Sequence, residues 1–196
     1  PKSKCWLIRT LCNPCNNRLP SVEKENSMKK IVVIGPESTG KTTLTKALAK
    51  HFNCQYVSEY AREFIDKLDR TYQEEDILTI AQKQIKLEES QKTNNPYLFL
   101  DTDLIVCKVW SQYKYGDCHP WILQQIKSRE YHHYLLCDID IEWQADPQRE
   151  NPNNRKELFE MYKNELIDSG KSFSVVSGNN RLEQAISKVI FHVNKL

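Results

Sequence analysis

The amino-acid sequence predicts an α/β domain in which a five-stranded parallel sheet is sandwiched between helices. Two observations carry that expectation. From residue 31 onward, short β-branched and aromatic runs alternate with stretches of helical periodicity, as in successive strand–helix–strand units. Between the first such strand and the first such helix lies an octet bracketed by Gly35 and Thr42, at the turn where a parallel sheet of this kind meets its ligand.

The elements follow in order. Residues 31–35 form a strand with both faces apolar, as a central parallel strand requires. Lys41–His51 is a helix with Leu44, Ala47 and Leu48 on one face, and residues 55–58 are a short second strand. Thr71 and Glu74 read as a capping box that opens a helix carrying Ile77, Ile80, Ala81 and Ile85 inward. Asn94-Asn95-Pro96 interrupts before a third strand, Tyr97–Asp101, and a helix bearing Trp and Tyr then runs to Gly116. Residues 131–138 are a fourth strand, Arg155–Asp168 a helix, residues 173–177 a fifth strand, and Arg181–Val193 a closing helix. No internal repeat is visible.

The 196 residues suit one domain, and the balance of 39% hydrophobic with 28% charged residues suits a packed globule. Residues 1–27 are rich in Asn, Pro and Lys, lack periodicity, and precede Met28-Lys29-Lys30, which resembles a natural start. They are expected to be a flexible N-terminal extension to a domain at 28–196. No apolar run approaches the roughly 18 residues that cross a membrane. A net charge of +2, with basic residues dispersed among 26 acidic ones, argues against a nucleic-acid partner and for a small-molecule one. Seven irregularly spaced cysteines argue for a reducing, cytoplasmic setting. Cys12 and Cys15 with Cys5 lack the fourth ligand of a zinc site. The five histidines form no metal-spaced pair. Oligomeric state leaves no trace in the sequence.

Gly35-Pro36-Glu37-Ser38-Thr39-Gly40-Lys41-Thr42 matches Gly-x-x-x-x-Gly-Lys-[Ser/Thr] at every fixed position. The glycines let the backbone wrap with N–H groups turned toward phosphate oxygens, and the following helix adds its positive end. Gly35, Glu37, Ser38, Thr39, Gly40, Lys41, Thr42 and Thr43 are therefore expected to bind ATP. Lys41 would reach the β- and γ-phosphates and Thr42 would ligate Mg²⁺. The expected architecture is a P-loop NTPase fold with a lid segment.

A P-loop phosphotransferase sets a carboxylate near its metal at the end of a neighbouring strand. Asp101 ends the third strand and is the expected metal residue. Asp103 lies two positions on, either at the substrate or as the cap of the next helix. Glu59 follows the second strand, where a carboxylate can orient a hydroxyl or accept its proton. Arg62 would share a helical face with Glu59; the competing assignment for the two is a surface ion pair. The polar segment 138–152 contains two prolines and reads as a lid. There Arg149, with Arg155 just beyond it, would cover the triphosphate, and Trp143 would either stack on a flat substrate or pin the loop. Trp110 and Tyr113 are core residues or part of the same pocket.

The P-loop through Leu44, Ser58-Glu59-Tyr60-Ala61-Arg62-Glu63, Asp101-Thr102-Asp103, Val109-Trp110-Ser111, and the run Asp138-Ile139-Asp140 through Trp143, Asp146 and Arg149 to Asn154-Arg155 resemble the kinase domain of NadR-type proteins. The resemblance spans residues 28–196. It implies an ATP- and Mg²⁺-dependent ribosylnicotinamide kinase that phosphorylates the ribose hydroxyl of nicotinamide riboside in NAD salvage. It further implies Lys41, Glu59, Asp103 and Arg149 as catalytic, and Glu59, Arg62, Asp103, Trp110 and Trp143 at the substrate. Larger members add an adenylyltransferase domain with a His-x-Gly-His-type motif, which this sequence lacks. In the lid, Glu142 stands where the family has Pro, and Pro147-Gln148 replaces a Gly-containing turn. The alternatives are a P-loop kinase for another nucleoside or small metabolite, and a nucleotide-sensing module without turnover.

Overall fold

The computed structural model describes residues 28–193; the expectations for residues 1–27, including Cys5, Cys12 and Cys15, fall outside the described residues. Five strands, β1 (Lys29–Ile34), β2 (Tyr56–Val57), β3 (Tyr97–Asp101), β4 (His133–Cys137) and β5 (Phe173–Val176), form one sheet in the order β2-β3-β1-β4-β5. Every pairing is parallel. The helices are α1 (Lys41–His51), α2 (Tyr60–Asp66), α3 (Glu74–Glu89), α4 (Leu104–Tyr115), α5 (Pro120–Ser128), α6 (Arg155–Asp168) and α7 (Arg181–Val193).

Alternation along β1 sends successive side chains to opposite faces. Ile31 and Val33 join Leu44 and Leu48 of α1 and Ala185 and Val189 of α7 on one face. Val32 and Ile34 join α3, α4, α5 and α6 on the other, through Ile77, Ile80, Ile105, Ile122 and Leu166. All four of these β1 residues are fully buried, which accounts for the unbroken apolar run.

Three local expectations are corrected. The capping box that opens α3 is formed by Gln73 and Asp76, two residues beyond Thr71 and Glu74; Asp76 also pairs with Arg70, so the box sits where a counter-ion reinforces it. A helix at Pro120–Ser128 lies where none was expected. His119 caps it through Nδ1, which accepts the Trp121 N–H at 3.1 Å; Pro120 occupies the first turn, and Ile122 and Ile126 bury one stripe. Ala47 of α1 faces the cavity described below instead of the core beside Leu44 and Leu48.

Among the described residues Cys54, Cys107, Cys118 and Cys137 are free thiols. No described helix is long and apolar enough to cross a membrane.

Because all strands are parallel, the loops leaving β1 to β5 gather along one edge, and the order reverses at β1, where a crevice opens. In register, Val33 pairs with Asp101 and Ile34 with Leu136, so the loop after β1 emerges between the ends of β3 and β4. Gly35 is required there. Its φ is 142°, and a Cβ would lie 2.8 Å from the carbonyl oxygen of Cys137. Gly35→Ala is expected to destabilise the fold by about 2 kcal/mol or more, from a strained φ plus a backbone clash. Urea unfolding checks this, and an unchanged midpoint would contradict the close approach.

Candidate active site

The loop at residues 35–42 takes its shape from backbone geometry. Ser38 and Gly40 adopt left-handed φ values of 56° and 76°, a region that non-glycine residues visit rarely. Inside the turn, the Thr39 hydroxyl donates to the Pro36 carbonyl at 2.8 Å, and Lys41 Nζ reaches the same oxygen at 2.9 Å. Gly40 caps α1 without a side chain, and no acidic residue occupies the first turn. The first N–H groups of α1 and the Lys41 ammonium thus face one space, the electrostatic requirement of an anion cradle.

Asp101 lies beneath this loop, 1% exposed. Burial raises its pKa, opposed by a hydrogen bond from Thr42 and by the charge of Lys41. Its Oδ1 is buried without a hydrogen-bond partner, which for a carboxylate oxygen is costly unless a cation or donor completes it. A hydroxyl and a carboxylate are hard oxygen donors, so Thr42 and Asp101 fit Mg²⁺. Among the described residues, no group of three or more His, Cys, Asp or Glu forms a metal cage. Thr102, the next residue, has a φ of 81°, and its N–H donates to Val33 at 3.1 Å.

Glu59 caps the seven-residue α2 by position only; its side chain makes no capping bond. Burial raises its pKa, Asp101 adds to the rise, and Lys41 and Arg62 oppose it. Arg62 stands 4.0 Å from Glu59 and 2.9 Å from Asp146 of the lid, so it bridges α2 to the lid.

The lid is docked. Glu37 Oε2 accepts the N–H groups of Glu150 and Asn151 at 3.0 and 3.1 Å. Ser38 Oγ accepts the Gln144 N–H at 2.9 Å. Arg149 donates to the Gln144 carbonyl and contacts Ser38 Oγ at 3.4 Å. The Glu37 and Ser38 side chains, expected at the nucleotide, hold the lid. Arg181 was not foreseen. It opens α7, donates to the Thr39 carbonyl at 2.9 Å and pairs with Asp140. Its only sequence signal is a basic residue at a helix start, where dipole arguments disfavour one.

These parts enclose one cavity of about 590 Å³. Loop residues 36–43 form its floor. On the β5 side it is lined by Asn179, Arg181 and Leu182, and on the β2 side by Glu59, Arg62, Tyr72, Trp110, Tyr113 and Tyr162, with Arg149 above. Tyr72 meets Trp110 edge to face at 4.8 Å, and its hydroxyl accepts from Trp110 Nε1 and donates to Glu150 at 2.6 Å. Tyr72 and Tyr162 carried no sequence signal for the site, because each comes from a segment remote in the chain.

Asp103, Trp143 and Arg155 lie outside the cavity wall. Asp103 is 4% exposed and does not line the cavity. It accepts the Ile105 N–H at 3.0 Å as the cap of α4 and the Tyr134 hydroxyl at 2.8 Å. Burial pushes its pKa up to about 7. Its geometry is that of the capping alternative, and it is left out of the proposed catalytic set. Trp143 is not in the cavity wall; its ring lies 5.7 Å from the Arg155 guanidinium. Arg155 also lies outside the wall; it donates to the Ile141 carbonyl at 2.8 Å and reaches the Ser38 carbonyl of the phosphate loop at 3.4 Å, joining the lid base to that loop.

Residues 30–184 match AAA_28, described as an AAA domain. The chain belongs to that family. It is homologous to the trifunctional NAD biosynthesis/regulator protein NadR of Salmonella typhimurium, with 26% identity over 134 residues. That match covers 65% of this chain and 32% of the relative, so the chain corresponds to about a third of the relative's length. Two solved NadR structures share the fold. One, in complex with NAD and AMP-PNP, has a TM-score of 0.70 at 23% identity, over 85% of this chain and 50% of that one. The other, in complex with NR, has a TM-score of 0.70 at 22% identity, over 84% and 50%.

Two outcomes follow from the geometry. Asp103→Asn keeps the cap through Oδ1, and its Nδ2–H can donate to the Tyr134 hydroxyl where Oδ2 accepts from it, so any turnover should stay within about threefold, whereas Asp103→Leu should cost about 2–4 kcal/mol in unfolding free energy. A collapse of turnover in Asp103→Asn with unchanged stability would restore it to the chemistry. Glu37→Ala should raise amide hydrogen exchange across residues 144–151 by roughly tenfold, by releasing the lid; unchanged exchange would mean that the lid is held elsewhere.

Proposed function

We propose that the protein is an ATP- and Mg²⁺-dependent nucleoside kinase that phosphorylates nicotinamide riboside. One observation carries this reading: the phosphate loop and Glu59, with its aromatic surround of Tyr72, Trp110 and Tyr113, share a single cavity. A triphosphate fits the loop side, and a flat nucleoside fits the β2 side. The NadR homology and the NadR structures holding NR and AMP-PNP support the same pair of ligands.

In this reading the ribose hydroxyl lies against Glu59. Its oxygen forms a bond to the γ-phosphorus as the bond from that phosphorus to the bridging oxygen breaks, and its proton passes to the Glu59 carboxylate. The raised pKa of Glu59 makes it a better proton acceptor than an ordinary carboxylate. Lys41, with the α1 N–H groups, holds the phosphate oxygens. Arg149 and Arg181, each with a buried Nε lacking a partner, supply further positive charge. Mg²⁺, held by Thr42 with Asp101 beside it, would neutralise phosphate charge. Electron-rich ring faces attract a cationic pyridinium by about 0.5–2 kcal/mol. A cytoplasmic setting is consistent with the free thiols.

Purified protein with ATP–Mg²⁺ and a nucleoside panel is expected to turn over nicotinamide riboside. Glu59→Gln should lower kcat by about 10²–10⁴ while ATP binding persists. Turnover of another nucleoside with nicotinamide riboside ignored would replace the acceptor. Glu59→Gln at full activity would remove Glu59 from the chemistry.

A further inference from the structure

Helix α2 carries Glu59 at its start; none of its residues is fully buried, though Tyr60, Ala61 and Phe64 pack partly buried against the core. Hydrogen bonds from α3 supplement that packing. The side chain of Gln84, 5% exposed on α3, grips the backbone on both sides of Glu59. Its Oε1 accepts the Tyr60 N–H at 2.8 Å, and its Nε2 donates to the Ser58 carbonyl at 3.1 Å.

A carboxamide presents one acceptor and paired donors in a plane, so it can engage a carbonyl and an N–H as a neighbouring strand would. The two bonded groups belong to the residues before and after Glu59, so the peptide planes that orient its Cα–Cβ bond are both restrained. The Tyr60 N–H is also one of the donors left open at a helix start. A capping side chain at Glu59 would take the Ala61 or Arg62 N–H instead; it makes no such bond and is left for the cavity. Gln84 itself is rigid: Ile77, Ile80, Ala81 and Ile85 bury α3 against the sheet that ends in Asp101. Behind Glu59, toward Gln84, Thr102 and Trp110, is a space of only about 10 Å³, on the order of a single water. The main cavity, whose wall includes Glu59 but not Gln84, is the side from which substrate can reach Glu59.

We propose that Gln84 is the positioning residue for Glu59, fixing the carboxylate in the cavity through the Ser58 and Tyr60 backbone without touching substrate. The inference rests on the kinase reading above. Gln84→Met keeps the length and packing of the side chain and removes both hydrogen bonds.

The test is a double-mutant cycle of Gln84→Met and Glu59→Gln in the full chain, with ATP–Mg²⁺ and nicotinamide riboside or whichever nucleoside the wild type uses. Gln84→Met is expected to lower kcat roughly tenfold to a hundredfold, as displaced catalytic groups do, with KM for ATP changed less than about twofold. In the Glu59→Gln background the same substitution should have almost no effect on kcat, and amide exchange should rise at residues 58–63 alone. Ile77→Val on the same helix is the packing control and should leave kcat unchanged. An additive cycle, or faster exchange at 58–63 with undiminished kcat, overturns the positioning role while leaving the kinase reading intact. Should Gln84→Met fail to fold, Gln84→Glu, which keeps the acceptor for Tyr60, is expected to show a partial loss of kcat that also vanishes with Glu59→Gln. A wild type that phosphorylates no nucleoside overturns the kinase reading, and the positioning role with it.

Discussion

The carboxyl end of β1 is the point from which the candidate site hangs. Two parallel ladders meet there, pairing Val33 with Asp101 and Ile34 with Leu136. The chain leaves β1 against the backbone of Cys137, which only a glycine permits. That contact sets the height of the phosphate loop above Asp101, the direction of α1, and the position of Thr42 over the buried carboxylate. Parallel pairing puts the starts of α2, α4 and α7 along the same edge, so residues distant in sequence face one cavity.

The cavity wall combines charge types that would be wasteful in water. Lys41, Arg62, Arg149 and Arg181 face or flank Glu59, with Asp101 buried under the loop. Burial raises the pKa of both carboxylates, and the cations only partly oppose it. Fixed charges held largely away from solvent, as Arg149 and Arg181 are here, interact strongly and reorganise little when charge moves, which is the physical basis of transition-state stabilisation in phosphoryl transfer. The lid extends the enclosure: Glu37 and Ser38 lie inside the phosphate loop yet spend their side chains on lid N–H groups, tying the two segments together.

Legibility in the sequence differed by residue according to how local its determinants are. The loop glycines, Lys41 and Thr42 were visible because a backbone turn and the residue after it are set by a handful of neighbours. The strand ending in Asp101 is visible because four apolar residues bounded by Pro96 and an acid have few alternatives. Asp103 is ambiguous in sequence, since a carboxylate before a helix suits both a cap and a substrate contact; in the fold it caps α4 and accepts the Tyr134 hydroxyl, 31 residues away. Trp143 suits either a stacking or a loop-pinning role; in the fold it lies against Arg155, which reaches the phosphate loop at Ser38, since neighbours in one segment meet at little entropic cost. Helix α5 was hidden by its leading proline, and the α3 capping box by two overlapping candidates.

By itself the sequence determined the strand and helix alternation, the phosphate loop at the first crossover and the acid at the end of β3, since periodicity and turn chemistry act over a few residues. Only the tertiary structure decided that Arg181 approaches the loop, that Tyr72 and Trp110 wall the β2 side, that Glu37 holds the lid, and that Gln84 grips the backbone around Glu59. Those contacts join residues from 24 to 142 positions apart. Such pairs are brought together by burial of the sheet's two faces, a non-directional force whose outcome no local pattern in the chain records.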